Sequence, residues 1–237
     1  MVKLSIVIPC YNEQDSLPEV IEKIGKLQSY EDIEFVLVEN GSTDKSKEII
    51  SQAISTYSNI RMVTVLNNKG YGYGIKMGVI TCQGQFVGWT HADLQVDPTD
   101  ILTAYHELKE NNFAQDTFLK GIREKCNRTM TERILTWLMG KWLSRTLGVK
   151  MYDINGQPNI YPSVLKKMII KAPNDVMIEA YSYYMALKLG LTEKRFKVKL
   201  EKRKFGNSRL LPGFKARIRT IKRTIMYTRK LRVLQKR

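Results

Sequence analysis

Four short apolar runs, each ended by a polar cluster and separated by stretches of helical spacing, set the limits on what this chain can fold into. Leu4-Ser5-Ile6-Val7-Ile8-Pro9 reads as a buried strand, β-branched and stopped by proline. Ser16-Leu17-Pro18-Glu19 opens a helix whose apolar positions are Val20, Ile21, Ile24 and Leu27. A second strand follows at 33–38. Gly41-Ser42-Thr43-Asp44 then caps a helix carrying Ile49, Ile50 and Ile54. Met62–Leu66 is the third strand, followed by a glycine-rich turn and a helix through about Thr81. The fourth is Gln85–Trp89, and Pro98 starts another helix. Strands that alternate with helices imply an α/β fold with a mostly parallel sheet covered on both faces. With 237 residues, one domain or one domain plus an extension is expected.

Beyond residue 112 the rhythm changes. A strand is expected at 117–119, helices at 134–147 and 174–189, and a return to the sheet at 196–200. The last 25 or so residues read as a basic amphipathic helix with Phe214, Ile218, Ile221 and Ile225 along one stripe. The division expected is a catalytic domain at 1–210 and a basic extension at 211–237. Charge follows the same division. From Lys194 to Arg237 there are 18 Lys and Arg against one acid, Glu201, whereas residues 1–193 carry 21 basic and 22 acidic groups. A near-neutral body with a basic tail suits an anionic membrane, a nucleic acid or a phosphorylated ligand. The tail lacks a nucleic-acid reader motif, and Phe214 and Tyr227 are too few for a stacking platform.

Cys10, Cys82 and Cys126 are odd in number and lack metal-ligand spacing. The run Leu4–Ile8 is too short for a signal peptide, and no stretch reaches the length of a membrane span. The expected setting is the reduced cytoplasm, with the tail as a peripheral contact to the membrane's cytoplasmic face.

In an open parallel sheet, ligands bind beyond the carboxyl ends of the strands. Three polar clusters fall there: Pro9-Cys10-Tyr11-Asn12-Glu13, Glu39-Asn40-Gly41-Ser42-Thr43-Asp44 and His91-Ala92-Asp93-Leu94-Gln95. A ring and a carboxylate after the first strand suit a nucleobase, and a carboxylate after the second suits ribose hydroxyls. Oxygen and nitrogen donors after the fourth suit a divalent metal that screens a diphosphate. Each cluster alone could be a polar loop with a helix cap. Three in order, each directly after a strand, favour a nucleotide site.

With these clusters the sequence resembles inverting glycosyltransferases of family 2, in particular polyprenyl-phosphate sugar synthases, from Leu4 to about Leu210. The resemblance implies a GT-A fold and a nucleoside-diphosphate-sugar donor. Pro9-x-Tyr11-Asn12-Glu13 matches the family's opening nucleotide motif, and Glu39–Asp44 is similar to its Asp-Asp-Gly-Ser-x-Asp. Asn68-x-Gly70-x-Gly72 is similar to its glycine-rich loop. His91-Ala92-Asp93 takes the place of its Asp-x-Asp, so Asp93, Gln95 and His91 are the implied metal residues. An imidazole favours manganese over magnesium, and a metal-independent site is the alternative. Gly121-Ile122-Arg123 is similar to its Gly-Thr-Arg, and Arg203–Arg209 to its phosphate-holding element with Ser208 and Arg209. Asp153–Asn159 is similar to its Asp-x-Thr-Gly-x-Phe-Arg, with Asn159 standing where the family has arginine.

The resemblance places Arg123, Asp153, Ser208 and Arg209 on acceptor or phosphate, and the acceptor is lipid-linked or a saccharide. A phosphate acceptor needs no base. A hydroxyl acceptor needs a carboxylate, for which Asp175 and Glu179 are the candidates, with a helix cap as the other reading of Asp175 and a solvated or acceptor-binding carboxylate as that of Glu179. Tyr181, Tyr183, Tyr184 and Met185 read as core. Asn40 and His91, standing where two acids are expected, leave a non-catalytic nucleotide-binding homologue as a competing reading.

Overall fold

A computed structural model describes residues 1–123, 130–201, 204–205, 223–229 and 231. Arg203, Ser208, Arg209, Cys126 and the apolar positions Phe214, Ile218 and Ile221 lie outside the described residues. The chain begins β1 (Leu4–Cys10), α1 (Leu17–Gly25), β2 (Ile33–Asn40), α2 (Ser46–Thr56), β3 (Ile60–Val65), α3 (Tyr71–Thr81), β4 (Phe86–Trp89) and α4 (Ile101–Glu110). It continues with β5 (Thr117–Arg123), α5 (Met130–Leu147), β6 (Asn159–Pro162), α6 (Lys166–Ile169), α7 (Met177–Lys188) and β7 (Thr192–Val198). The strands form one sheet in the order β3-β2-β1-β4-β6-β5-β7. β1 lies parallel to β2 and β4, β2 to β3, and β5 to β7. β6 is antiparallel to both of its neighbours.

Strand alternation splits each apolar run between two cores. Leu4, Ile6 and Ile8 of β1 pack with α1, α2 and α4, through Val20, Ile24, Ile50 and Ile101. Val7, Val36 and Val38 face the other way, towards α3, α5 and α7, through Ile75, Leu143 and Ile178. Tyr183 and Tyr184 are buried in this second core, as expected for that cluster.

Several boundaries differ from the sequence reading. β5 runs four residues beyond Leu119 because Lys120 and Gly121 continue the ladder with β7. β7 starts at Thr192 rather than Phe196, and α5 starts at Met130 rather than Ile134. The described C-terminal turn, 223–229, is helical, and Thr224, Thr228 and Leu231 are its buried side chains. Ile225, expected on the apolar stripe, is only half-buried.

The antiparallel β6 was not expected, and it has the largest consequence for the site. Running against its neighbours, it starts where they end. Asn159 pairs with Trp89, the last residue of β4, and with Lys120 of β5. The turn before it, 153–158, therefore lies at the same edge as the three polar clusters.

A buried polar network fixes that turn. Glu179 on α7 is 3% exposed. Its Oε1 accepts from the Tyr71 hydroxyl at 3.0 Å, Trp89 Nε1 at 2.9 Å and Gln157 Nε2 at 2.7 Å. Its Oε2 accepts from Asn159 Nδ2 at 2.6 Å. On the other side of the same amide, Asn159 Oδ1 accepts from the Lys120 ammonium, which also donates to the carbonyls of Ile154 at 3.2 Å and Gly156 at 3.3 Å. Glu179, a base candidate with a solvated or acceptor-binding carboxylate as the alternatives, is thus buried and joined to a buried lysine through a single asparagine. Burial pushes the Glu179 carboxyl up, opposed by Lys120 and by the Trp89 and Tyr71 donors. Burial likewise brings Lys120 down to about 8, opposed by Glu179.

Two stability tests follow from this network. Glu179→Gln puts an NH₂ among N–H and O–H donors and leaves Lys120 without its counter-charge. Breaking a buried pair in this way costs about 3–5 kcal/mol, to be read by urea unfolding. A loss within experimental error of zero would show that the carboxylate is dispensable. Lys120 titrates at about 8 folded against an ordinary 10.5. Between those values the unfolded chain binds more protons, so the lysine's contribution to stability rises with pH. In Lys120→Met that rise disappears from the stability profile across the interval; an unchanged slope would contradict the assignment.

Candidate active site

The three clusters meet at one edge because β1, β2 and β4 are parallel neighbours ending together. The β1 and β2 clusters are cross-linked. Asn12, with φ +53°, turns the chain after β1. Its amide donates to Ser42 Oγ at 3.1 Å, and its Oδ1 accepts from Thr43 N at 2.7 Å. Glu13 N donates to Ser46 Oγ at 2.9 Å, and Gln14 N to Asp44 Oδ2 at 3.1 Å. Asp44 Oδ1 also accepts from Ser46 N at 2.9 Å. Burial alone would raise the Asp44 carboxyl, but the donors from Ser46 and Gln14 hold it below its usual value. Tyr11, Asn12, Glu13, Gly41, Ser42 and Asp44 are half-buried around this double turn.

Glu39 and Asn40 differ from expectation in one respect: both are the last residues of β2 and are buried, at 3% and 2% exposure. Glu39 Oε1 accepts from Ser42 N at 2.5 Å and so closes the turn. Asn40 donates from Nδ2 to the Gly70 carbonyl at 3.3 Å, tying β2 to the start of α3. Asn40 thereby braces the glycine-rich loop.

The glycine-rich loop has a comparable role. Asn68 Oδ1 accepts from Gly70 N at 2.8 Å. Gly70 has φ +114°, and a Cβ there would stand 2.4 Å from the Asn174 carbonyl oxygen. At Gly72 a Cβ would meet the carbonyl oxygens of Pro173 at 2.5 Å and Asp175 at 2.6 Å. These glycines let the start of α3 lie directly on the turn that leads into α7. That turn holds Asp175, whose Oδ1 accepts from Met177 N at 2.8 Å. This is the cap reading of Asp175. Its Oδ2 is paired with Arg223 of the C-terminal segment at 3.1 Å.

After β4, burial alternates. Ala92, Leu94 and Val96 are buried in the first core, while His91, Asp93 and Gln95 are half-buried on the other side of the strand-like loop. Leu94 has φ +57°, and Asp93 Oδ1 accepts from Gln95 N at 3.1 Å across the turn. The His91 ring lies 5.3 Å from that of Tyr71, which is itself bonded to Glu179. Among the described residues, no three His, Cys, Asp or Glu side chains are grouped to hold a metal. Asp93 with Gln95 and His91 is a sparse donor set. It fits a divalent ion that takes its remaining ligands from substrate phosphates and water. The segment following β7 enters here: Glu201 N donates to the Gln95 carbonyl at 2.8 Å, and Lys204 pairs with Glu19 at 2.6 Å.

At the far side of the edge, Arg123 ends β5 and pairs through Nε and Nη2 with both oxygens of Asp153. The two residues expected on the acceptor side are therefore in contact. Both line a 680 Å³ cavity whose walls also include Ile122, Ile134, Trp137 and Met151, with Arg133 and Lys141. The sequence reading did not single out Tyr71, Trp89, Lys120 or Gln157, although all four lie behind this edge. Lys120 carried a usable signal, being a charge inside the apolar run Phe118–Ile122.

Among the described residues no helix is long and apolar enough to cross a membrane. Cys10 and Cys82 are buried free thiols.

Comparison with known proteins agrees with this architecture. The model of glycosyl transferase family 2 matches residues 5–169. Undecaprenyl-phosphate 4-deoxy-4-formamido-L-arabinose transferase of Pseudomonas fluorescens is 34% identical over 153 residues, which is 63% of this chain and 44% of that protein. Dodecaprenyl-phosphate galacturonate synthase of Rhizobium johnstonii is 26% identical over 175 residues, 71% of this chain and 50% of that one. The chain thus spans about half the length of these relatives. Glucosyl-3-phosphoglycerate synthase of Mycobacterium tuberculosis, in complex with phosphoglyceric acid, superimposes with a TM-score of 0.68 at 15% identity, covering 98% of this chain and 80% of that one. A mannosyltransferase of Pyrobaculum calidifontis, in complex with GDP-Man and Mn²⁺, gives 0.62 at 17% identity, covering 86% and 58%. The shared architecture is the GT-A fold, a mostly parallel sheet flanked by helices. By the match over 5–169, this chain belongs to glycosyl transferase family 2.

Proposed function

We propose that this chain transfers a sugar, with inversion, from a nucleoside-diphosphate sugar to a lipid-linked phosphate acceptor. The observation that carries the reading is the juxtaposition at one sheet edge of the half-buried Tyr11–Asp44 and His91–Gln95 loops with a cavity lined by Arg123 and Asp153. Tyr11, Asn12 and Glu13 would take the base, and Glu39, Ser42 and Asp44 the ribose side. Asn68, Gly70 and Gly72 shape the wall beside them. Asp93, with Gln95 and His91, would hold a divalent ion, manganese by preference, which when bound screens the diphosphate charge. Arg203 and Arg209 would offset the charge of the departing nucleoside diphosphate, and the Ser208 hydroxyl would donate to it. They belong to the segment whose residue Glu201 is anchored on Gln95.

The acceptor assignment rests on chemistry as well as kinship. A phosphate oxygen is already a nucleophile and needs no base. Asp175 is occupied by Met177 N and Arg223, and Glu179 is buried. A guanidinium has five donors, and the pair with Asp153 uses those at Nε and one Nη. A cavity walled by Ile122, Ile134, Trp137 and Met151 and lined as well by the cations Arg123, Arg133 and Lys141 suits a prenyl chain with a phosphate head. The named relatives act on undecaprenyl and dodecaprenyl phosphates, in keeping with such an acceptor.

The first test is a thermal-shift panel of UDP, GDP, dTDP and their sugars with and without Mn²⁺, since a ligand of the native state raises its stability. One base is expected to raise Tm, more so with Mn²⁺. Asp93→Ala is expected to abolish the metal-dependent increment and to lower transfer about 100- to 1,000-fold with unchanged circular dichroism. Full activity in that variant would refute the metal-side assignment. The second test addresses the acceptor. Arg123→Gln is expected to raise the KM for undecaprenyl phosphate about tenfold or more while leaving the nucleotide shift intact. An unchanged KM would move the acceptor elsewhere.

A further inference from the structure

α5 is patterned in reverse for a helix on the surface of a globular domain. The side it packs with carries Gly140, Leu143 and Leu147, which are buried. The opposite side holds Met130, Ile134, Leu135, Trp137, Leu138 and Trp142, of which Trp137 is 50% exposed and Leu138 49%. Such a stripe is ordinarily the buried one, and a contiguous exposed patch of this kind marks an interaction surface. Beyond Glu132 in its first turn, the charged residues of α5 are all cations: Arg133, Lys141 and Arg145 are exposed among the apolar groups, and no Asp or Glu occurs from 133 to 150. The Lys141 ammonium lies 4.2 Å from the Trp137 ring centroid, so the cation travels with the aromatic surface.

Tryptophan and leucine with interspersed lysine and arginine are the composition of a helix lying in a membrane interface, where indoles rest at headgroup depth. An anionic surface complements the basic residues. A protein partner would more often bring carboxylates to such a face, but the patch has its cations spread singly along an apolar surface, as a bilayer with diffuse negative charge requires. The helix is also a wall of the cavity: Ile134, Trp137 and Gly140 line it, as do Arg123 and Asp153. At 680 Å³ the cavity is the size of a small-ligand site, enough for a lipid's head and first prenyl units but not for a long chain.

We propose that the exposed face of α5 docks this protein on an anionic phospholipid bilayer. Resting on the lipid-acceptor reading above, this docking opens the cavity to an acceptor whose head enters while its tail stays in the membrane. The described turn of the basic C-terminal extension contacts Asp175 and Met177, at the start of α7, through Arg223 and Thr224.

The experiment uses the full chain with vesicles of phosphatidylcholine alone or mixed with phosphatidylglycerol. The chain has three tryptophans, and Trp89 is fully buried, so an emission change reports Trp137 and Trp142. Acidic vesicles are expected to sediment the protein, shift its emission to the blue and shield it from acrylamide. The double variant Leu135→Glu/Leu138→Glu replaces two exposed side chains outside the cavity wall and is expected to weaken vesicle binding about tenfold or more. Sedimentation without a tryptophan response, or a double variant that binds like the parent, would overturn the proposal. So would a double variant that instead dissociates an oligomer on a sizing column, since the face would then be a contact between chains. The nucleoside-diphosphate thermal shift is read on the same samples. A retained shift without vesicle binding refutes the docking face alone, and vesicle binding without a shift refutes the donor reading alone.

Discussion

The carboxylate of Glu179 brings an acceptor-only group into the middle of the fold, and the site is arranged around the donors it requires. An ionised carboxylate away from water is tolerated only when it is paired and hydrogen-bonded. Here the donors come from four places: the first residue of α3, the last residue of β4, the turn before β6 and the first residue of β6. Each carries a neighbouring part of the site. Tyr71 lies against His91, Trp89 precedes the metal-side loop, and Gln157 and Asn159 end the turn that holds Asp153. The donor and acceptor halves therefore share one support. A change that loosens the buried pair is transmitted both to Trp89, which precedes the metal-side loop, and to the turn at 153–158.

The donor half was largely legible in the sequence, because it depends on local rules. A β-branched run ended by Pro9 or by Glu39-Asn40 defines a strand end by itself, and parallel neighbours bring their ends together without further instruction. The alternation that exposes His91, Asp93 and Gln95 is likewise a property of consecutive residues. What stayed hidden depends on contacts distant in sequence. β6 is four residues long, follows Pro158 and ends at Pro162, so it offers neither the length nor the alternation of a strand. Its pairing partners, Trp89 and Lys120, lie 70 and 39 residues earlier. Glu179 on a tyrosine-rich helix looks the same in sequence whether it is solvated or is the centre of a network. Asn40 shows the limit from the other direction: its motif was recognised, but burial at the end of β2 turned its amide towards Gly70.

The replacement of an arginine by Asn159 takes on a different meaning once Lys120 is placed. An arginine at 159 would bring a second cation to the Lys120 ammonium in a site without water to screen it. Asparagine instead presents an oxygen to the lysine and a nitrogen to Glu179, and it can do both at once because its amide has one of each. In this chain a cation at the turn is supplied from β5, and it is committed to the fold. Binding an acceptor phosphate is then left to cations nearer the surface.

Those outer cations are unevenly spread. The nucleotide edge is rich in carboxylates, with Glu13, Glu39, Asp44 and Asp93 around the loops after β1, β2 and β4. A diphosphate arriving there is repelled unless positive charge accompanies it, from an ion or from the basic segment anchored at Gln95. The acceptor side has the opposite balance, with Arg123, Arg133 and Lys141 on the cavity wall and Asp153 as the acid among its lining residues. An anionic lipid head is drawn to that side without help and is disfavoured at the other. In the proposed reaction this field would keep apart two negatively charged substrates that must meet at one bond, and the supporting charge at Lys120 and Glu179 is neutral overall, leaving that separation to the surface residues.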